Sequence, residues 1–277
     1  MDNKIGIILT SIERPQALKK SVESILEVWQ DNWVLLIGDQ NKHTYGESYD
    51  VITKIINDNP DKFIKAYKQE YNCGISVARN ELIYKARLNY CEYVLLTADS
   101  ILFNDSSRHI YSLLVCLQKS ERPEWSGYDL IGLQLDNRIG WEANLELIPN
   151  QSFQLDFIEK NKYEDIWIHY LKAFNVWPCD IVRNFWLART ESLIQVPYDE
   201  QLIMCEHEDF FWRFKQAGMK VGCTNLVNGL YEKGQNTSEY DKLRQQNFRI
   251  GMQRLKNKYS LKNWVTYVHL ERTKNEN

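Results

Sequence analysis

Lys4-Ile5-Gly6-Ile7-Ile8-Leu9-Thr10-Ser11-Ile12-Glu13-Arg14-Pro15 is the stretch whose reading decides the fold. Lys4–Leu9 is a short apolar run that ends in Thr-Ser, the pattern of a strand buried on both faces of a parallel sheet. Pro15 follows where a helix can start, because its missing N–H is one that a first turn leaves unpaired anyway. Leu18, Val22, Ile25 and Leu26 then recur at helical spacing. The same alternation continues outward. Trp33–Ile37 reads as a second strand closed by Gly38-Asp39, and Val51, Ile52, Ile55 and Ile56 mark a helix ended by Asn59-Pro60. Phe63–Tyr67 is a third strand, Val77–Leu88 a helix, and Tyr93–Leu96 a fourth strand ending at Thr97-Ala98-Asp99. This βαβαβ rhythm predicts an α/β fold, an open parallel sheet with helices on both faces. Ligands of such sheets bind beyond the carboxyl ends of the strands, which places Thr10, Asp39 and Asp99 on one rim.

Composition narrows the classes. The 277 residues are 44% hydrophobic, 26% charged and 13% aromatic, as in a globular chain with a large core. Nine Trp and sixteen Tyr suit cores and sugar-binding clefts alike, since each ring pairs an apolar face with a polar handle. A net charge of -3 and a pI near 6.0 argue against binding nucleic acid through bulk electrostatics. The six cysteines are dispersed without a CxxC pair, so reduced, buried thiols are expected. Ile5–Leu9 is too short for a signal-peptide core and no window reaches the length of a membrane span. The expected location is the cytoplasm or the cytoplasmic face of a membrane.

Beyond residue 104 the pattern is less regular. Leu130–Leu135, Ile181–Leu187 and Val221–Val227 read as strands, Asp165–Phe174 as helical, and Gly218 as a helix stop. From Glu239 to Tyr259, Tyr240, Leu243, Phe248, Met252, Leu255 and Tyr259 form an amphipathic helix rich in Lys and Arg. It is expected to pack back on the body, with peripheral contact to an anionic membrane surface as the alternative. The segment Glu206-His207-Glu208-Asp209-Phe210-Phe211-Trp212-Arg213-Phe214 gathers acids ahead of aromatic residues. A helix starting near Glu208 would bury Phe210, Phe211 and Phe214 and hold Asp209 at its exposed end. Either the acids complement the helix dipole, or they offer a rigid carboxylate for acid–base work.

No GxxxxGK[ST] phosphate loop is present and no GxGxxG follows the first strand. Instead Thr10–Pro15, then Asn72-Cys73-Gly74-Ile75-Ser76-Val77-Ala78-Arg79-Asn80, then Tyr93–Ser100 follow one another. In order and spacing these resemble the nucleotide-binding half of GT-A glycosyltransferases, especially inverting family 2. The later run Cys179–Thr190, followed by Tyr198–Leu202 and the acidic segment, resembles β-1,4-N-acetylgalactosaminyltransferases of the ganglioside-synthase type. The resemblance spans roughly residues 4 to 237, and the stretch from about 105 to 175 matches no named motif. It implies a GT-A domain over 1–237, with a nucleotide-sugar half at 1–104 and an acceptor half at 105–237, before a helical tail at 238–277.

That resemblance also implies residue roles. Thr10, Ser11, Glu13, Arg14, Asp39, Gly74, Arg79, Ala98 and Lys233 would bind the donor nucleotide, with Asp39 accepting from the uracil imide and Arg79 reaching the base or diphosphate. Asp99 would hold Mn²⁺ or Mg²⁺ against the diphosphate of a UDP-sugar. The chain departs from the pattern in two places. Thr97 stands at the first acidic position of the DxD-like motif, and Gly229–Lys233 lacks the late His of many relatives, leaving Glu232 or Lys233 to serve. Asp209 would be the general base that deprotonates the hydroxyl of a glycan or glycoconjugate acceptor, and Glu208 would contact a sugar. The transferred sugar would be GalNAc, GlcNAc or Gal. A non-catalytic nucleotide-sugar or glycan-binding protein with a degenerate metal site is the alternative.

Overall fold

The computed structural model describes residues 3–43, 46–118, 127–136, 142–157, 176–232 and 238–267. The first half runs β1 (Ile5–Ser11), α1 (Pro15–Glu27), β2 (Trp33–Asp39), α2 (Glu47–Asp58), β3 (Ile64–Lys68), α3 (Ile75–Leu88) and β4 (Tyr93–Leu96). β1 pairs in parallel with β2 and with β4, and β2 with β3. Side-chain alternation along β1 shows why the run had to be apolar throughout. Ile5, Ile7 and Leu9 pack with Leu18, Val22 and Ile25 of α1 on one face, and Ile8 packs with Leu82, Ile83 and Ala86 of α3 on the other.

The second half continues through β5 (Ile101–Leu102), a 3₁₀ turn at Asp105–Leu113, α4 (Leu114–Leu117), β6 (Leu130–Leu135), β7 (Ala143–Ile148), β8 (Ser152–Phe157) and β9 (Val176–Cys179). It ends with β10 (Trp186–Arg189), α5 (Thr190–Gln195), α6 (His207–Gln216), β11 (Val221–Tyr231), α7 (Ser238–Tyr259) and β12 (Val265–Tyr267). Among the described residues the main sheet has nine strands in the order β3-β2-β1-β4-β10-β6-β11-β5, with β9 beside β11. β10 runs antiparallel to both β4 and β6, so the parallel expectation holds for the first half and gives way in the second. A smaller sheet of β12, β8 and β7 packs beside it.

Two expectations need adjusting. The strand expected at Ile181–Leu187 is Trp186–Arg189, because Ile181 forms an isolated bridge to Ala143 before the chain enters the main sheet. The helix expected at Asp165–Phe174 lies outside the described residues. Gly218 does follow the end of α6, at φ +73.

The tail helix α7 packs on the body, as its amphipathic spacing predicts. Leu255 is fully buried, and Phe248 and Met252 lie against the same core cluster as α6. Gly251 permits this approach, since a Cβ there would sit 2.1 Å from the Met204 carbonyl oxygen. Among the described residues no helix is long and apolar enough to cross a membrane. All six cysteines are free, and five are buried.

Candidate functional site

The carboxyl ends of β1, β2 and β4 lie side by side, and Ser11 links them, paired with Asp39 of β2 on one side and bonded to Asp99 on the other. Ser11 Oγ donates to Asp99 Oδ2 at 3.0 Å, and Arg14 Nη1 donates to Asp99 Oδ1 at 2.6 Å. Both members of that ion pair are buried, with side chains 6% and 9% exposed. Burial pushes the Asp99 carboxyl up, while Arg14, then Ser11, then Arg244 pull it down. Two of these partners were not foreseen in their roles. Arg14 turns onto Asp99, and the charge of Arg244 on α7 acts on it through space. The Arg14 guanidinium also stacks 5.2 Å from the Tyr240 ring, so α7 closes one side of the rim. The signal for that contribution was the Lys/Arg-rich character of the tail, which sequence reasoning assigned to packing or membranes.

The other rim residues form a second network. Asp39 Oδ1 accepts from the Asn41 backbone N–H at 3.0 Å and from its side-chain amide, and Oδ2 accepts from Lys68 Nζ at 3.3 Å. Asn41 Oδ1 in turn accepts from the Glu13 backbone N–H, and Glu13 Oε1 accepts from the Lys42 N–H at 3.0 Å. Asn41 and Lys68 were missed because a polar residue at or just past the end of a strand carries no distinctive pattern. Thr10 pairs with Gly38 across β1 and β2. The Ala98 carbonyl accepts from the Ile101 N–H at 3.0 Å and from Ser21 Oγ at 3.2 Å, fixing the turn that carries Asp99.

Gly74 caps α3 at φ +91, where a side chain is strained, and an added Cβ would stand 2.9 Å from Ile203 Cα. The backbone contact is tight because Ile75 N–H donates to the Ile203 carbonyl at 3.1 Å. This ties the Asn72–Asn80 stretch to the loop ahead of α6. Arg79 turns inward there. Its Nη1 donates to Glu206 Oε1 at 2.7 Å, it lies 5.2 Å from the Tyr198 ring, and it is 4% exposed. The pair with Glu206 thus takes the place of the expected reach toward a base or diphosphate. Lys233 lies outside the described residues. Glu232 pairs with Lys20, and its N–H donates to the Ser100 carbonyl at 2.9 Å, which sets the end of β11 beside the rim.

The acidic start of α6 divides sharply. Phe210, Phe211 and Phe214 are buried as expected, each worth about 1.5–3 kcal/mol of transfer free energy. Asp209, expected at an exposed end, is instead fully buried. Its Oδ2 accepts from Arg213 Nε at 2.8 Å, and its Oδ1 from Tyr259 Oη at 2.8 Å and from Lys258 Nζ. A one-residue step along a helix turns a side chain by about 100°, so adjacent acids face different surroundings. Asp209 faces the tail and anchors α7. Glu208 is 3% exposed, and its Oε2 has no hydrogen-bond partner. Burial and the neighbouring Glu206 charge push its carboxyl up to about 7. His207 Nδ1 lies 3.1 Å from Asn184 Oδ1, and burial together with Arg79 pushes the imidazole down to about 3, so it is neutral.

A divalent cation at Asp99 is a poor fit to this donor set. Both Asp99 oxygens already accept hydrogen bonds, Thr97 is neutral, and the Arg14 guanidinium seated on the carboxylate, with the charge of Arg244 behind it, repels a metal ion. Among the described residues no group of three or more His, Cys, Asp or Glu side chains is placed to hold one.

No protein-family model matches the chain. Protein CgeD of Bacillus subtilis (strain 168) is 40% identical over 58 residues, which are 21% of this chain and 13% of that protein. Among solved structures, GalNAc-T7 with UDP, GalNAc and Mn²⁺ matches with a TM-score of 0.63 and 11% identity, over 89% of this chain and 47% of that one. The mannosyltransferase PcManGT from Pyrobaculum calidifontis, in complex with GDP-Man and Mn²⁺, matches at 0.55 and 11%, over 91% and 63%. S. aureus TarS 1-349 matches at 0.53 and 11%, over 92% and 66%. The chain therefore spans less than two thirds of each of these relatives. At such identities the likeness establishes architecture alone, and that architecture, a mixed and mainly parallel sheet closed by a C-terminal helix, is the GT-A fold.

Proposed function

We propose that this protein is a glycosyltransferase that moves a sugar from a nucleoside-diphosphate donor to a hydroxyl of a glycan or glycoconjugate acceptor, with inversion at the anomeric carbon. The observation that carries the reading is the rim itself. Ser11, Arg14, Asp39 and Asp99 gather at the carboxyl edge of β1, β2 and β4, in a fold shared with proteins solved with UDP and GalNAc or with GDP-Man. A UDP-sugar carrying GalNAc, GlcNAc or Gal is the donor we favour, on the motif resemblance of the second half.

In this reading the acceptor hydroxyl gives its proton to Glu208 while its oxygen bonds to the anomeric carbon. The bond from that carbon to the diphosphate oxygen breaks, and the nucleoside diphosphate leaves with the electron pair. Glu208 suits the task better than Asp209 on two grounds. It keeps one oxygen without a partner, and its carboxyl titrates near 7, where a base is strong enough to accept a proton yet ionised in part. Asp209 spends both oxygens on Arg213, Tyr259 and Lys258. Glu206 and Arg79 hold the loop that presents Glu208.

The test is a panel of UDP-, GDP- and dTDP-sugars scored by release of nucleoside diphosphate. At least one donor should turn over, and Glu208→Gln should stop that turnover while leaving nucleotide binding within about twofold. Binding without turnover of any donor, with sugar acceptors supplied, would favour the alternative of a non-catalytic nucleotide-sugar-binding protein.

A further inference from the structure

The rim holds a fixed cation where the donor's diphosphate is expected. Arg14 lies within 2.6 Å of Asp99, its side chain is 6% exposed, and its Nε has no hydrogen-bond partner. Thr97 Oγ1, on the same rim, is likewise buried without a partner. A buried donor left unsatisfied costs about 1–3 kcal/mol unless a ligand meets it. Here a guanidinium N–H of the residue paired to Asp99, and a hydroxyl two residues before Asp99 in the chain, are both left without a partner. The Arg14 guanidinium lies 5.2 Å from the Tyr240 ring centroid, and Arg244, exposed on α7, adds a second positive charge that acts on the same carboxylate. Paired oxygen acceptors of an anionic group, such as those of a phosphoryl group, are what such a fork recognises.

We propose that Arg14, seated on Asp99 and assisted by Arg244, is the resident cation of the donor site, so that this chain binds a nucleoside diphosphate without a divalent metal. The inference rests on the donor reading given above and sharpens it. Asp99 then positions a guanidinium rather than ligating a metal. Thr97 is neutral and adds no second acid beside Asp99, so Arg14 and Arg244 together set two positive charges against the one carboxylate. When the anomeric bond breaks, the leaving diphosphate gains one negative charge, and the permanent charge of Arg14 meets it without a proton transfer.

Isothermal titration with UDP and with GDP, on the full chain, in EDTA and then in Mn²⁺, tests this. The preferred nucleotide should bind in EDTA, and Mn²⁺ should change its Kd by less than about threefold. Arg14→Gln should weaken binding about tenfold to a hundredfold, the loss of charge-assisted hydrogen bonds. Arg14→Lys should recover part of that loss, and Arg244→Gln should weaken binding by about threefold to tenfold. Arg14 is buried, so its variants are accepted only if thermal unfolding shows them folded. Arg244 is exposed, and its variant with the EDTA comparison decides the matter even if they are not. Binding that needs Mn²⁺, or tightens tenfold or more with it, overturns the proposal and leaves the donor reading standing. Failure of UDP, GDP and, titrated in the same way, dTDP to bind in either condition overturns the two together.

Discussion

Replacing Glu208 by Gln should make the protein more stable as the pH rises, and the size of the effect follows from one buried carboxyl. In the unfolded chain Glu208 titrates at its ordinary 4.5, and in the fold it titrates at about 7. The folded state therefore binds the proton more tightly than the unfolded state does. Stability falls as pH climbs through that window, because ionising the carboxyl in place means charging a buried group. At about 1.4 kcal/mol per pH unit, the gap amounts to about 3 kcal/mol. Below pH 4.5 the parent pays none of this, and above pH 7 it pays all of it. Gln has the same shape and never ionises, so urea unfolding of parent and variant should diverge across the window. Any pH-independent cost of seating the amide shifts the whole difference curve without changing its slope. A difference in unfolding free energy that stays flat between pH 5 and 8 would refute the reasoning, since it would mean Glu208 titrates normally.

Two further perturbations probe the frame around it. Asp209→Ala should cost about 3–5 kcal/mol, because Lys258 and Arg213 lose the buried carboxylate that both contact. Limited proteolysis near α7 should accelerate in that variant, and unchanged resistance would mean the anchor is dispensable. Gly74→Ala should destabilise by about 1–3 kcal/mol through strain at φ +91 and contact with Ile203, measurable as a lower urea midpoint. A neutral result would show that the loop ahead of α6 yields freely.

What the sequence disclosed depended on whether a pattern was local. Strands β1, β2 and β4 are buried on both faces and read as nearly uninterrupted apolar runs, so their order and spacing were plain, whereas β3 is buried only at Ile64. The β7–β8 hairpin had its own signal, Ala143-Asn-Leu-Glu-Leu alternating buried and exposed, and went unread within a stretch that matched no motif. The rim positions Ser11, Asp39 and Asp99 were legible because strand ends are where such sheets bind ligands. The partners were not. Arg14 and Asp99 are far apart in the chain, and Lys258 and Tyr259 reach Asp209 from a helix whose docking depends on Gly251 meeting Met204. Such contacts are products of packing and leave no trace in spacing. The division of labour between Glu208 and Asp209 is of the same kind, since adjacent acids are equivalent on paper and differ only in what each one faces.

The most direct test of the account is the pH–rate profile of donor turnover for the parent and for Glu208→Gln. The account predicts a parent rate that rises about tenfold per unit below pH 7 and levels off above it, tracking the ionised carboxylate, with turnover in the variant abolished. A parent profile flat from pH 5 to 9, or a variant that turns over donor at the parental rate, would contradict it.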